Sequence, residues 1–196
     1  MTTTTISRQQ LQYAVDRIQA AGLRDQVTLL FEDYRDLPGK FDAFDHLVSI
    51  EMIEAVGDRY LPLYFDTCSR LIKPGGRMLI QAITIPDDRY ANYLRSVDFI
   101  QKYVFPAVTC RRSSRMRACA ETTGRLEPVE SFEFPLSYAL TLRAWRKRFQ
   151  ENLNEVRRLG FDDRFIRLWD YYLCYCEGAF LERAVGVGQF VWSRVR

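Results

Sequence analysis

The stretch HLVSIEMIEAVGDRYLPLYFDTCSRLIKPGGRMLIQAITI, residues 46–85, contains two apolar runs separated by a helical pattern. The first run, 46–50, ends in acidic residues, and the second, 77–85, follows the helix-breaking sequence KPGG. Short apolar runs bounded by turn residues predict buried strands, whereas the apolar spacing within 59–72 predicts a helix. The stretch therefore predicts one strand–helix–strand crossover.

The same alternation continues on both sides of this stretch. Before it, 2–6 is a short β-branched run, a helix capped by Ser7 extends to Gly22, and 27–31 has a strand pattern. After it come an amphipathic segment to about Phe105, a basic segment at 111–124, a strand at 126–134, two helices between Ser137 and Val185, and a strand at 188–192. Alternating strands and helices predict a doubly wound α/β fold, with a mainly parallel sheet and helices on both faces. We expect one domain spanning residues 1–196.

Composition narrows the class of protein. A hydrophobic fraction of 47% is typical of a globular domain, and a net charge of +3 gives no indication of a nucleic-acid partner. The first residues lack the basic and apolar regions of a secretory signal, and no apolar run is long enough to cross a bilayer. We therefore expect a cytoplasmic protein without a transmembrane segment.

The cysteines and the single imidazole, His46, do not form a metal-binding pattern. The five cysteines have neither a regular spacing nor a CxxC pair; they are Cys68, Cys110, Cys119, Cys174 and Cys176. An odd, scattered set predicts free thiols in a reducing compartment and no metal site.

Several motifs, in unbroken order, resemble the cyclopropane-fatty-acyl-phospholipid synthase family of class I S-adenosylmethionine methyltransferases. They are SIEMIEAVG at 49–57, YFDTCSRLIKPGGRMLIQAITI at 64–85, DFIQKYVFP at 98–106, YALTLRAWRKRF at 138–149 and YYLCYCEGAFLERAVGVGQF at 171–190. The resemblance runs from Thr5 to Val191. It implies a Rossmann-like sheet, the cofactor S-adenosyl-L-methionine, and methylenation of cis double bonds in phospholipid acyl chains. Such a substrate implies peripheral contact with the inner membrane face.

The resemblance assigns the cofactor's nucleoside to two segments. Thr5, Ile6 and Gln10 match the turn after the family's second strand, which contacts the nucleoside, and Asp33 and Tyr34 match the adenine end.

The resemblance also implies four catalytic residues. Glu54 matches a carboxylate that helps to hold a bicarbonate ion, a second implied cofactor, and Tyr138 matches the family's active-site tyrosine. Cys176 matches a cysteine often assigned as catalytic. Gln81 stands where many members have histidine, so it can hydrogen-bond an anion but cannot transfer a proton near neutral pH.

One part of the family pattern has no counterpart in the sequence. The strand and glycine-rich turn that normally contact the cofactor's methionine portion would lie before Met1. In the family's sheet this strand lies between the second and fourth strands, so we expect two groups of strands with unpaired inner edges. Unpaired buried backbone groups cost about 1–3 kcal/mol each. We therefore expect marginal stability and weak cofactor binding, unless upstream sequence or another polypeptide supplies the strand.

Other roles stay open at this point. Arg111, Arg112, Arg115 and Arg117 form a basic cluster that could contact anionic lipid headgroups. Aromatic faces at Tyr138, Tyr171, Tyr172 and Phe180 could stabilise a carbocation, although aromatic residues at helical spacing, such as the last three, more often pack in a core. Alternative functions are methylation of a small amine and a non-catalytic role, with a second copy or a complementary chain as partner.

Overall fold

The structure is a computed structural model that describes residues 1–37, 41–106 and 108–196. Its strands are β1 (Thr2–Thr4), β2 (Thr28–Leu30), β3 (Phe44–Ile50), β4 (Ile72–Thr84), β5 (Leu126–Glu133) and β6 (Gly186–Arg194). Its α-helices are α1 (Arg8–Ala20), α2 (Leu61–Leu71), α3 (Asp87–Tyr93), α4 (Phe99–Tyr103), α5 (Ser113–Thr122), α6 (Pro135–Glu151), α7 (Leu153–Arg158) and α8 (Asp163–Leu181). No helix in the described ranges is both long enough and apolar enough to cross a membrane.

The strands form two sheets. β1 and β2 pair in parallel, and a four-stranded sheet has the order β3-β4-β6-β5. β3 and β4 are parallel, with Ile50 opposite Gln81, whereas β6 runs antiparallel to both of its neighbours. The crossover predicted from 46–85 is therefore confirmed, and it is β3-α2-β4.

Side chains of β4 alternate between two apolar cores. Met78 and Ile80 pack in a core with α2 and α5, whereas Ile83 packs in a core with α6 and α8. β6 follows the same alternation, with Phe190 in the first core and Val187 in the second. Because successive residues of a strand point to opposite faces, helices cover both faces of this sheet, as predicted.

The two sheets are separated between β1 and β3. β1 pairs with β2, β3 pairs with β4, and no ladder among the described residues joins the two sheets. A groove of about 360 Å³ lies between these edges and is lined by residues of β1, β3 and α2. The expectation of unpaired inner strand edges is confirmed.

Some boundaries differ from those predicted. β3 begins at Phe44, and the KPGG breaker at 73–76 lies within the span of β4. A third, short helix, α7, separates the two predicted between Ser137 and Val185, because the backbone leaves the helical region at Asn152, with φ −114° and ψ 21°.

Candidate active site

The nucleoside residues predicted on the first segment lie in an ordered turn after β1. The Thr5 backbone N–H donates to Leu30 O at 3.1 Å, and its hydroxyl donates to Gln10 Oε1 at 2.8 Å. Ser7 caps α1 by accepting from the Gln10 backbone N–H at 3.3 Å. Ile6 is 73% exposed at the tip of this turn. Its apolar surface is therefore free to contact a ligand.

Asp33 and Tyr34 follow β2 at the same sheet edge, because β1 and β2 are parallel neighbours. The Asp33 carboxylate accepts from Arg35 Nη2 at 2.6 Å, and this contact holds the pKa of Asp33 below its usual range. The Tyr34 ring meets Tyr64 edge to face, with ring centroids 5.4 Å apart. The structure thus brings the two predicted nucleoside segments to one edge.

These residues fit the nucleoside portion of S-adenosylmethionine. The edge offers an exposed apolar side chain at Ile6, a carboxylate at Asp33 and hydrogen-bonding groups at Thr5 and Gln10. The groove beside it reaches Tyr34 and Met52, so it joins this edge to the residues that follow β3. In the described part of the chain before β3 the one glycine is Gly22, at the end of α1, so no glycine turn adjoins the groove there.

Glu54 lies in a single 3-10 turn at 53–55 that follows β3, and it is only 3% exposed. Its Oε1 accepts from the Ile83 backbone N–H at 2.6 Å. Its buried Oε2 has no hydrogen-bond partner among the described residues. Burial raises the pKa of the Glu54 carboxyl, against a smaller lowering by the Ile83 hydrogen bond. One carboxyl oxygen is therefore available to a ligand.

Arg111 holds the turn that contains Glu54, and it is 1% exposed. Its guanidinium donates to Ile53 O at 3.0 and 2.7 Å, to Glu54 O at 3.1 Å, and to Val56 O. The predicted contact of Arg111 with lipid headgroups is wrong, because its side chain is buried and its Nε and Nη2 donate to backbone carbonyls inside the protein. Its role is to position the Glu54 turn.

The rest of the basic cluster is dispersed. Arg112 lies over the Tyr90 ring, 4.4 Å from its centroid, and Arg115 pairs with Asp58 at 3.7 Å. Arg117 is exposed. Contact of these three arginines with a membrane stays a prediction.

Glu51, which was not among the predicted site residues, links Tyr138 and Gln81. The Tyr138 hydroxyl donates to Glu51 Oε2 at 2.8 Å, and Gln81 Nε2 donates to Glu51 Oε1 at 2.8 Å. Gln189 Nε2 donates to Gln81 Oε1 at 3.0 Å, which orients the Gln81 amide toward Glu51. Burial, with the Glu51 hydrogen bond, raises the pKa of Tyr138, so its phenol remains a donor. The sequence signal was an acidic residue directly after the last strand residue.

Cys176 lies on α8 in the second core, partly buried. Burial raises the pKa of its thiol to about 12, against a lowering by the hydrogen bond with Tyr172. A thiol with this pKa is protonated near neutral pH and is a weak nucleophile. A catalytic role for Cys176 stays a prediction.

The aromatic residues divide between core and surface. Phe180 is buried and packs on Tyr138 with ring centroids 4.7 Å apart, so it is a core residue, as expected for its spacing. Tyr171 is exposed, and its ring packs edge to face on Phe99 with ring centroids 4.6 Å apart. Tyr172 is half-buried; burial raises its pKa most, and Cys176 and the Glu51 charge add to that rise. Tyr138 and Tyr172 are therefore the predicted aromatic residues that lie near the Glu51 carboxylate.

Comparison with known proteins identifies the family of the chain. The family described as mycolic acid cyclopropane synthetase matches residues 1–190. The tuberculostearic acid methyltransferase UfaA1 of Mycobacterium tuberculosis is 38% identical over 195 residues, which are 98% of this chain and 44% of that protein. The cyclopropane-fatty-acyl-phospholipid synthase of Escherichia coli is 36% identical over 191 residues, 97% of this chain and 46% of that protein. The chain thus spans about half the length of these relatives.

Solved structures show the same fold. The mycolic acid cyclopropane synthase CmaA1, complexed with SAH and CTAB, superposes with a TM-score of 0.86 at 20% identity, over 98% of this chain and 69% of that one. The cyclopropane synthase MmaA2 of Mycobacterium tuberculosis gives a TM-score of 0.84 at 18% identity, with the same coverage. The fold is therefore that of the class I S-adenosylmethionine methyltransferases, and the chain belongs to the mycolic acid cyclopropane synthetase family.

Proposed function

We propose that this chain forms the acyl-binding side of an S-adenosylmethionine-dependent methyltransferase that adds a one-carbon unit to a cis double bond in a phospholipid acyl chain. The observation that supports this most directly is the buried Glu54 carboxyl, with its unpartnered Oε2, beside the Glu51, Tyr138 and Gln81 network. This network lies where β3 ends beside β4, with Ile50 opposite Gln81. The groove beside the nucleoside edge reaches the same end of β3, at Ile50 and Met52.

The chemistry requires placement and charge stabilisation. When bound, the cofactor supplies a sulfonium methyl group. The alkene is a weak nucleophile, so the site must hold it in line and then stabilise the cation that forms. Tyr138 and Tyr172 offer aromatic faces, and Glu51 offers a negative charge close to both.

The substrate class is supported by the names of the relatives. They include proteins named for tuberculostearic acid, for cyclopropane fatty-acyl phospholipids and for sphingolipids. These share a long acyl or sphingoid chain, and we propose that a phospholipid chain at a membrane surface is the substrate here. Peripheral contact with the membrane is part of the same proposal.

Transfer of an isotope-labelled methyl group tests the proposal. The purified protein is incubated with deuterium-methyl S-adenosylmethionine, in large excess, and vesicles of a cis-unsaturated phosphatidylglycerol. We expect label in the acyl chains by mass spectrometry, and none with vesicles of the saturated lipid. Label found instead in an added small amine or in an amine headgroup would contradict the proposal.

Matched variants connect the label to the site. Glu54→Gln keeps the side-chain size but removes the ionisable carboxyl, and we expect transfer to fall roughly 100-fold. Glu127→Gln changes an exposed carboxylate on β5 and should leave transfer unchanged.

A further inference from the structure

The Glu51 carboxylate is held by neutral donors on both of its oxygens. Tyr138 OH and Gln81 Nε2 each donate at 2.8 Å, one to each oxygen. Within the described ranges Glu51 forms no salt bridge, although several other carboxylates of the chain do. A carboxylate has about four lone-pair sites. Glu51 therefore keeps accepting capacity on both oxygens after these two hydrogen bonds.

The backbone at Glu51 is also unusual. Its φ is +53°, in the left-handed region that residues other than glycine rarely adopt. The Glu51 N–H donates to Gln81 O at 2.9 Å, which continues the β3–β4 ladder by one residue before the chain turns. Such strain persists where the surroundings determine it, and it is concentrated at functional sites. The chain thus leaves β3 at Glu51, the residue whose side chain accepts a hydrogen bond from Tyr138.

Two carboxyl groups thus share this end of the sheet in different environments. Glu54 is buried, and burial favours its neutral form. Glu51 is partly exposed, and its two oxygens accept hydrogen bonds from Gln81 and Tyr138. Neighbouring carboxyls whose environments differ in this way commonly divide the acid and base roles.

We propose that Glu51 is the catalytic base that removes the proton from the methylated acyl chain, an inference that rests on the proposed function. A C–H bond of the added methyl group breaks, and its electron pair closes the third bond of a cyclopropane ring. The proton passes to a Glu51 oxygen, and the positive charge on the acyl chain is discharged. If the cation instead loses a proton so that the electron pair of the C–H bond forms a C=C bond, the step balances in the same way. Neither step needs an oxidant. Glu51 then takes the place of an added bicarbonate ion.

Kinetics with and without bicarbonate test this inference. In buffer freed of carbon dioxide, wild-type transfer should proceed at the rate seen with added bicarbonate. Glu51→Gln should lose roughly 100-fold or more. Glu51→Gly, which also relieves the positive φ, should lose as much and recover with bicarbonate, whereas the exposed control Glu130→Gln should match wild type. A wild-type rate that depends on bicarbonate, or full activity in Glu51→Gln, would overturn the inference.

A binding measurement separates this inference from the proposed function. NMR of isotope-labelled bicarbonate should show binding to Glu51→Gly, whose Tyr138 and Gln81 donors are free, and none to the wild type. Circular dichroism confirms that the variant is folded. If the wild type methylates no lipid, the proposed function fails, but bicarbonate binding still decides the role of Glu51. Equal binding by both proteins, or no binding by folded Glu51→Gly, would refute it.

Discussion

At the scale of single residues, the burial of Glu54 makes stability depend on pH. Its pKa in the folded protein is raised above 4.5, its ordinary value, mainly by burial. Below that value Glu54 is protonated in both states, whereas at higher pH the unfolded chain loses its proton first. The contribution of the neutral carboxyl is therefore lost as pH rises through the folded pKa.

The prediction concerns the difference in free energy of unfolding between the wild type and Glu54→Gln. Because glutamine does not titrate, this difference should shift against the wild type between pH 4.5 and the raised pKa. Urea unfolding at a series of pH values measures it. A constant difference across this range, or a shift in favour of the wild type, would contradict the assignment.

Arg111 gives a second prediction at this scale. Arg111→Met keeps much of the length of the side chain but leaves the carbonyls of Ile53, Glu54 and Val56 without these donors. We expect a loss of about 3 kcal/mol in the free energy of unfolding. The control Arg117→Met changes an exposed arginine of α5, and it should stay within about 0.5 kcal/mol of wild type. Equal effects of the two substitutions would show that the guanidinium contacts do not stabilise the turn.

The sequence revealed only part of the site. Glu54, Gln81 and Tyr138 were predicted because each stands in a recognisable motif, and the structure places Gln81 and Tyr138 together at Glu51; their catalytic roles stay predictions. The role of Arg111 could not be predicted, because the sequence around a buried arginine that donates to backbone carbonyls looks the same as that around a solvent-exposed arginine on a helix. Glu51 was visible as a charge after a strand, but its link to Tyr138 joins residues far apart in the chain, and only folding brings them together.

At the scale of elements, Gly76 allows β4 to approach β3. A Cβ atom at this position would lie 2.5 Å from Asp45 O and 2.4 Å from Ile72 Cγ2. Gly76→Ala should therefore destabilise the protein by about 3 kcal/mol. Gly178 lies inside α8, and a methyl group added there would have no neighbouring atom within 4 Å, so Gly178→Ala should stabilise the protein by about 0.5–1 kcal/mol. Thermal unfolding of both variants measures this contrast, and the same sign for both would contradict it.

The elements themselves were well predicted where their patterns are local. The β3-α2-β4 crossover follows from apolar runs, a helical spacing and a turn signal within residues 46–85. The break between α6 and α7 was missed, because Asn152 ends the helix without a proline or glycine to mark it. β4 begins at Ile72, before the predicted start at residue 77, because pairing with β3 rather than local sequence preference determines where it begins.

At the scale of the whole molecule, the gap between β1 and β3 lies beside the edge that is predicted to bind the nucleoside of the cofactor. The residues predicted to bind the nucleoside lie at this edge, and no glycine turn of the described chain adjoins the groove. We expect this chain to bind S-adenosylmethionine more weakly than micromolar, and to bind adenosine with similar affinity. Titration calorimetry with both ligands measures this. Micromolar binding of S-adenosylmethionine, much tighter than that of adenosine, would contradict it.

The lipids of a living cell test the central claim, that the site at the ends of β3 and β4 modifies acyl chains, most directly. The protein and its Glu54→Gln variant are expressed in a bacterial host that lacks its own cyclopropane synthase, and the fatty acids are analysed by gas chromatography with mass spectrometry. We predict acyl chains with one added carbon at the former double bond in the wild-type cells, and almost none with an equal amount of the variant. Unmodified acyl chains in cells that contain folded wild-type protein, or equal modification by the variant, would contradict this claim.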